Sequence, residues 1–461
     1  VLFRGYYLSV ISPQTLSDFD VVVCGGGPSG VMAAVSAARN GAKTLVIERH
    51  GFPGGSSTAA LVHPWLSFHN KRGEQVLGGL GQELVDRLQQ IGGALGHLRD
   101  SIGFVYSLTP FDPDLTKIVM QQMLQESGAQ VLLHTLITGV EASNGVVEAI
   151  RITNKSGTFQ IKAPLFIDTT GDADIAYKAG APIQEQRKNG QLNTQPLTMN
   201  FRVSGVDWAP IRRFILENPD EFHDETLFDD LLRGEALTGV SGYFSKWREV
   251  NEQLKVPRDR LLFFSGVRAD ECYVNTSRVT QLDGSDGFDL SNGEWEGRRQ
   301  VWAIFKWMKQ SVSGFEDSYI STIPTQIGVR ETRRILGDYV INQDDVVSGA
   351  QFDDAIARSA YPVDIHAPTG QGLITSEAPD DFYEIPFRCL LPQGVENVIV
   401  AGRCISATHE GHASTRLTPT CFAMGQAAGL AAAQCVKSNS RPRDLNGAAL
   451  RVELKKQGAI L

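Results

Sequence analysis

The chain has 461 residues, 42% of them hydrophobic and 21% charged, an ordinary globular composition with enough apolar material for two or three domains. A formal net charge of -9 repels phosphate backbones and argues against nucleic acid as a partner. No run of 18 or more apolar residues occurs, so no membrane span is expected, and residues 1–17 lack the long apolar segment of a signal peptide.

In chain order, Asp20-Val21-Val22-Val23-Cys24 reads as a buried parallel strand. An Ala-rich stretch over 31–39 suits a helix that Gly41 stops, and Lys43-Thr44-Leu45-Val46-Ile47-Glu48 is a second buried strand. Residues 79–96 and 115–126 carry helical patterns, and 129–133 a strand. Residues 136–162 alternate apolar and polar around turn signals at Ser143-Asn144-Gly145 and Lys155-Ser156-Gly157, which predicts an antiparallel meander. Leu165-Phe166-Ile167-Asp168 is a further buried strand. From 182 to 325 aromatic and charged residues mix, as in a separate α+β domain. Strand and helix patterns resume at 326 and end in a Gly/Ala-rich helix over 424–435, with 441–461 as a C-terminal tail. The predicted units are thus 18–181, an inserted cap over 182–325, a second part of the first domain over 326–440, and the tail.

Cys24, Cys272, Cys389, Cys404, Cys421 and Cys435 form no C-x-x-C pair. They read as reduced thiols of a cytoplasmic protein, which also argues against dithiol redox chemistry.

Gly25-Gly26-Gly27-Pro28-Ser29-Gly30 contains G-x-G-x-x-G between the first strand and the first helix. Gly25 permits a tight turn, Gly27 lets the backbone approach a diphosphate, and Gly30 lets helix pack on strand. A helix starting near Pro28 offers free N–H groups to the phosphates, with Ser29 in its first turn. Glu48, at the end of the second strand, is placed to accept hydrogen bonds from a ribose. These features call for a dinucleotide, and three others favour FAD over NAD. Arg49 and the second glycine pair Gly54-Gly55, followed by Ser56 and Ser57, allow another close backbone approach. Thr170, Gly171 and Asp172 supply a crossing beside the cofactor. Finally, the late strand ending at Gly402-Arg403 is followed by Thr418 and Thr420 near a helix start, suited to the negative edge of a reduced flavin.

These blocks, with Gly328-Val329-Arg330-Glu331-Thr332-Arg333-Arg334, Ala401-Gly402-Arg403-Cys404 and Met424-Gly425-Gln426-Ala427-Ala428-Gly429, resemble the FAD-dependent oxidoreductase family of the glutathione-reductase-like superfamily. The resemblance spans about residues 20–435. It implies an α/β fold, a Rossmann-type FAD-binding domain with an inserted α+β cap, and FAD held non-covalently or sometimes covalently. No second G-x-G-x-x-G marks an NAD(P)H domain.

Flavin dehydrogenation needs a base for the substrate proton and groups that orient the substrate. His409, His412 and Arg416 lie together after the late strand; either histidine is a candidate base, and Arg416 a candidate for a substrate carboxylate or the flavin's anionic edge. The plainer reading is that these residues pack a loop. Arg330 is the member of its charged block expected nearest the substrate, against a structural ion-pair network. His63 reads as a satisfied loop histidine or a covalent flavin link, and Asn275 and Arg278 as cap residues facing the ring. His409-x-x-His412 lacks an obvious third ligand, so no metal is expected. The acidic stretch 380–384 reads as a solvated face. The function expected is hydride exchange between flavin and a small polar organic substrate, as a dehydrogenase or oxidase; the alternatives are a flavin monooxygenase and a non-catalytic flavin-binding subunit. The partners expected are a small-molecule substrate, an electron acceptor of undetermined kind and, for assembly, a homo-oligomer.

Overall fold

A computed structural model describes residue 16 and residues 18–223, 226–368, 373–376 and 381–461. The reading of residues 1–17 as free of a signal peptide therefore falls almost wholly outside the described residues.

The apolar run after Asp20 forms β1 (Val21–Cys24), every residue buried. It leads through the glycines into α1 (Pro28–Arg39), with proline in the first turn, where its missing N–H costs no helix bond. β2 (Thr44–Ile47) follows, then α2 (Gly79–Gln90), α3 (Pro113–Ser127) and β3 (Gln130–Leu132). β4 (Leu136–Ser143), β5 (Val146–Asn154) and β6 (Gly157–Ile161) form the expected antiparallel meander. β7 (Leu165–Asp168) returns to the first sheet.

A second sheet is built from β8 (Phe201–Ser204), β9 (Gly239–Gly242), β10 (Leu261–Ser265), β11 (Glu271–Val274) and β12 (Tyr319–Thr322), in the order β9-β10-β11-β8-β12 and antiparallel throughout. It has its own core, including Phe201, Trp247, Phe263 and Phe315, with the long α4 (Gly287–Ser311) contributing Val301, Ile304 and Met308. The chain then passes through β13 (Val363–His366) to β14 (Val398–Val400), α5 (His409–Thr415), α6 (Thr418–Ser438) and α7 (Gly447–Lys456). β14 completes a five-stranded parallel sheet in the order β14-β7-β1-β2-β3.

α6 lies directly on α1. A Cβ on Gly425 would fall 2.1 Å from the Ser29 carbonyl, and one on Gly429 2.1 Å from that of Ala33. Glycines four apart on one helix face thus allow the two backbones to touch.

Several expectations shift. The helix expected over 79–96 ends at Gln90, because Gly92 takes a left-handed φ of 71° and Gly93 N–H donates to the Leu88 carbonyl, closing the helix. The last Gly/Ala-rich helix starts at Thr418, six residues early, with Pro419 in its first turn. Residues 441–461 are not separate from the main body, since Leu450 and Leu454 of α7 are fully buried in the core beneath α6. In the acidic stretch 380–384, Asp380 lies outside the described residues, and Glu384 is fully buried, held by Arg451 at 2.7 Å and Arg358 at 3.3 Å.

Residues 326–341 form isolated bridges rather than strands. They run as an extended strap from Gly328, paired with Thr198, to Ile341, paired with Ala407. All six cysteines are buried and unpaired. Among the described residues no helix is long and apolar enough to cross a membrane.

Candidate active site

The C-terminal ends of all five parallel strands open on one cavity of about 750 Å³, the usual ligand position in a parallel α/β sheet. β1 contributes Gly25 and Gly27, β2 Glu48, β3 Thr135, β7 Thr169 and Thr170, and β14 Ala401 and Arg403. At Gly25 φ is 108°, and a Cβ there would meet the Thr169 carbonyl at 2.6 Å. Gly27 differs: a Cβ on it would meet nothing nearer than the Gly55 Cα at 4.0 Å, so bare backbone faces open space. Gly54 N–H donates to the Gly26 carbonyl at 2.8 Å, tying the second glycine pair to the first. The Glu48 carboxylate accepts from Gly26 N–H at 2.7 Å and His50 N–H at 2.8 Å, which fixes it at the cavity edge. Gln326 accepts from Arg49 at 2.5 Å and lies 3.0 Å from His50 Nε2, joining the strap to this end.

Of the residues expected to hold a cofactor, Gly25, Gly27, Pro28, Ser29, Glu48, Arg49, Gly55, Ser56, Thr170, Gly171, Asp172, Arg403 and Thr418 line the cavity. Gly30, Gly54, Ser57, Gly402 and Thr420 do not. Gly30 sits beneath the Gly25 carbonyl and Gly402 against Ser29, so both act as packing glycines. The Ser57 hydroxyl accepts the Trp65 indole N–H at 3.0 Å, and Thr420 is turned into the protein at 1% exposure.

His409 and His412 stand off the cavity wall. His409 Nδ1 lies 2.9 Å from Glu331, and His412 is fully buried, which drives its imidazole well below the ordinary range and keeps it neutral. Glu331 is a buried hub. Burial pushes its carboxyl up, but the His409 hydrogen bond and the Arg334 charge outweigh this and bring it to about 2. The ion-pair reading thus holds for most of the charged block. Thr332 and Arg403 both donate to Asp172 at 2.7 Å, and Arg333 pairs with Asp174 at 2.6 Å. Arg330 is the exception; it lines the cavity and turns to the cap through Pro196, Thr198 and Asn275.

His63 also lines the cavity. Its ring stacks on Tyr273 at 3.8 Å, and Nε2–H donates to the Ser265 carbonyl at 3.0 Å. Burial pushes it down to about 3, so it is a neutral, engaged ring. Asn275 reaches the cavity; Arg278 does not, but its Nη2 donates to His366 Nδ1 at 2.7 Å from behind.

The far end of the cavity holds residues the sequence reading missed. Arg258 and Arg260 precede β10, and Tyr361, Asp364 and His366 accompany β13. Tyr361 donates its hydroxyl proton to Asp364 at 2.8 Å, while His366 and Arg416 lie 3.5 and 3.4 Å from the same carboxylate. Burial pushes the Asp364 carboxyl up, but His366, Arg416 and Tyr361 overcome it and hold it ionised; burial and that charge push Tyr361 well above its usual range. Burial and the neighbouring Arg416 and Arg278 charges push Arg330 down to about 9, still charged at neutral pH. An adjoining wall is apolar, formed by Leu66, Ile102, Phe104, Leu262 and Phe264, with the Phe104 ring 5.7 Å from that of Tyr361. Asp100 shapes that wall by accepting the Ile102, Phe104 and Val105 amides at 3.0–3.1 Å.

The family model described as FAD dependent oxidoreductase matches residues 20–454. The chain belongs to this family. It is therefore an FAD-dependent enzyme, as its sequence motifs led us to expect. A digeranylgeranylglycerophospholipid reductase of Methanocella arvoryzae is 29% identical over 217 residues, 42% of this oxidoreductase and 52% of that protein. Its counterpart in Thermoplasma volcanium is 25% identical over 209 residues, 42% of this chain and 49% of that one. The chain thus spans about half the length of the curated relatives it matches. Among solved structures, a geranylgeranyl bacteriochlorophyll reductase-like protein from Thermoplasma acidophilum is similar at 13% identity and a TM-score of 0.47, over 96% of this chain and 84% of that one.

Proposed function

We propose that this oxidoreductase exchanges a hydride and a proton with a small polar organic substrate held under the cap, as a dehydrogenase or oxidase. One observation carries the reading: the ends of all five parallel strands and the inner wall of the second sheet enclose a single cavity. FAD fits the strand-end half, because Gly27 leaves bare backbone there and the free amides at the start of α1 favour an anion. In this reading Gly25, Gly27, Pro28 and Ser29 face the diphosphate, Glu48 the ribose, and Thr418, at the start of α6, the flavin's negative edge. Bound FAD supplies the two-electron acceptor for the substrate hydride.

The chain does the rest. Leu262, Phe264 and Phe104 exclude water from the reacting end. Tyr361, fixed on the ionised Asp364, is the group we assign to proton exchange with the substrate: its oxygen takes the substrate proton as it passes its own hydroxyl proton to Asp364, and the reverse direction returns it. His409 serves this reading as a structural residue that braces Glu331 rather than as the base, and His412 is buried off the cavity wall. The six buried, unpaired cysteines support a reducing compartment, and with it the cytoplasm.

The test is anaerobic mixing of the holoenzyme with polyols, hydroxy acids, amines and sugars while the visible flavin band is followed. At least one class bleaches the flavin, and Tyr361→Phe slows that bleaching about 10²–10⁴-fold with FAD content unchanged. A flavin that stays oxidised across the panel, or a Tyr361→Phe rate equal to wild type, counts against the assignment. Rapid bleaching by NADH or NADPH alone would move the reading to a monooxygenase.

A further inference from the structure

Four arginines line the cap half of the cavity: Arg258, Arg260, Arg330 and Arg416. Two have acidic neighbours, Arg416 with Asp364 at 3.4 Å and Arg260 with Asp259 at 3.5 Å. Arg258 and Arg330 have no carboxylate within 4.0 Å among the described residues. Arg258 is only 3% exposed and gives one N–H to the Asn275 carbonyl at 2.8 Å, while its Nε finds no acceptor among the described residues. Arg330 donates to the Pro196 carbonyl, the Thr198 hydroxyl and, at 3.4 Å, the Asn275 side chain. Asn275 therefore stands between two guanidiniums whose acceptors are all neutral. Burying such charges without a counter-ion is costly, and a wall that does so is built to receive an anion.

That anion is not the cofactor's diphosphate, whose cradle is the bare backbone at the strand ends. Arg258 and Asn275 flank the cap strands β10 and β11, and Arg330 is bonded to the cap through Thr198. Next to them the lining is apolar, formed by Leu66, Ile102, Phe104, Leu262 and Phe264, and the Leu262 carbonyl accepts the Asn275 N–H at 2.9 Å. A guanidinium fork matches the two oxygens of a carboxylate, and an apolar wall matches a hydrocarbon body.

We infer that the substrate of the proposed redox reaction is a small organic acid, its carboxylate held by Arg258 and Arg330 on either side of Asn275 and its apolar body against Phe104, Leu262 and Phe264. This rests on the reading of the cavity as the redox site, but binding can be measured without turnover. The holoenzyme is titrated with benzoate and hexanoate, with benzamide and hexanamide as neutral twins, and with inorganic phosphate, at constant ionic strength. The visible flavin spectrum is the readout.

The two carboxylates perturb the spectrum saturably and the amides do not. Arg258→Gln and Arg330→Gln each weaken carboxylate binding about tenfold or more, and Arg258→Lys recovers part of the loss. FAD content of each variant confirms that it has folded, and the wild-type comparison of acid with amide stands without any variant. Equal binding of acid and amide, no response to either, or binding of phosphate alone overturns the inference. A flavin reduced by a neutral compound, in an enzyme that ignores benzoate and hexanoate, sinks the carboxylate site and leaves the redox reading. Carboxylate binding with no reduction by any compound does the reverse.

Discussion

The two halves of the cavity are built for recognition by opposite means. At the strand ends the diphosphate-sized space is edged by main chain, glycines and a helix start, beside an acid, Glu48, that accepts two backbone amides. Under the cap the wall is side chains, with Arg258, Arg330, the Tyr361–Asp364 pair and Arg416 arriving from four separate segments. Backbone recognition is intolerant of added atoms but indifferent to most side-chain identities. Side-chain recognition is the reverse, so the first half suits an invariant cofactor and the second a substrate specific to this enzyme.

The largest expected effect lies in the backbone half. Gly27→Val has room to fold, since its Cβ meets nothing within 3.9 Å, yet it fills the space a diphosphate needs. The variant should purify folded and colourless, with FAD affinity down about 100-fold or more, as read by flavin absorbance and fluorescence titration. A yellow Gly27→Val protein would break the contrast between the two halves.

Next comes the charge hub that joins them. Glu331 has a folded-state carboxyl at about 2 against an ordinary value of 4.5. A depressed acid stabilises the fold above its unfolded value and loses that contribution as pH falls through the folded one. Glu331→Gln should therefore cost on the order of 3 kcal/mol at neutral pH. Denaturant unfolding followed across pH should show the gap to wild type closing between pH 4.5 and 2.

The smallest expected effect sharpens the catalytic assignment. His409→Ala should leave the rate of flavin reduction at the wild-type value and lower only stability, because the ring braces Glu331 and does not reach the cavity. A collapse of the reduction rate with FAD content intact would return the base to α5.

The same contrast explains what could be read in advance. Gly25, Gly27, Pro28, Ser29 and Glu48 are local: strand, turn and helix follow within thirty residues, and the turn itself dictates the residue types. The parallel sheet, the meander and the cap's separate core were legible for the same reason, as runs and periodicities. The wall of side chains under the cap was not. Arg258 and Arg260 look like ordinary charges flanking an apolar strand, and Tyr361, Asp364 and His366 become neighbours of Arg330 and Arg416 only when β13 folds against the strap and α5. The one hint was Arg-Asp-Arg directly before Leu261-Leu262-Phe263-Phe264, charge abutting a core strand. His409 and His412 misled because nearness in sequence to the late strand says nothing of which way a short helix turns its face, and Glu331 supplies a buried partner that draws them inward.

The strap at 328–334 joins the two halves. Within seven residues Gly328 pairs with Thr198, Arg330 reaches Pro196 and Thr198, Thr332 holds Asp172, and Arg333 holds Asp174. Roof and floor are thus stitched to one short length of chain rather than joined by a hinge. The spacing between the strand-end glycines and Arg330 is set like notches on a ruler, so inserting even a single residue there would put the two halves of the cavity out of step while leaving each of them intact.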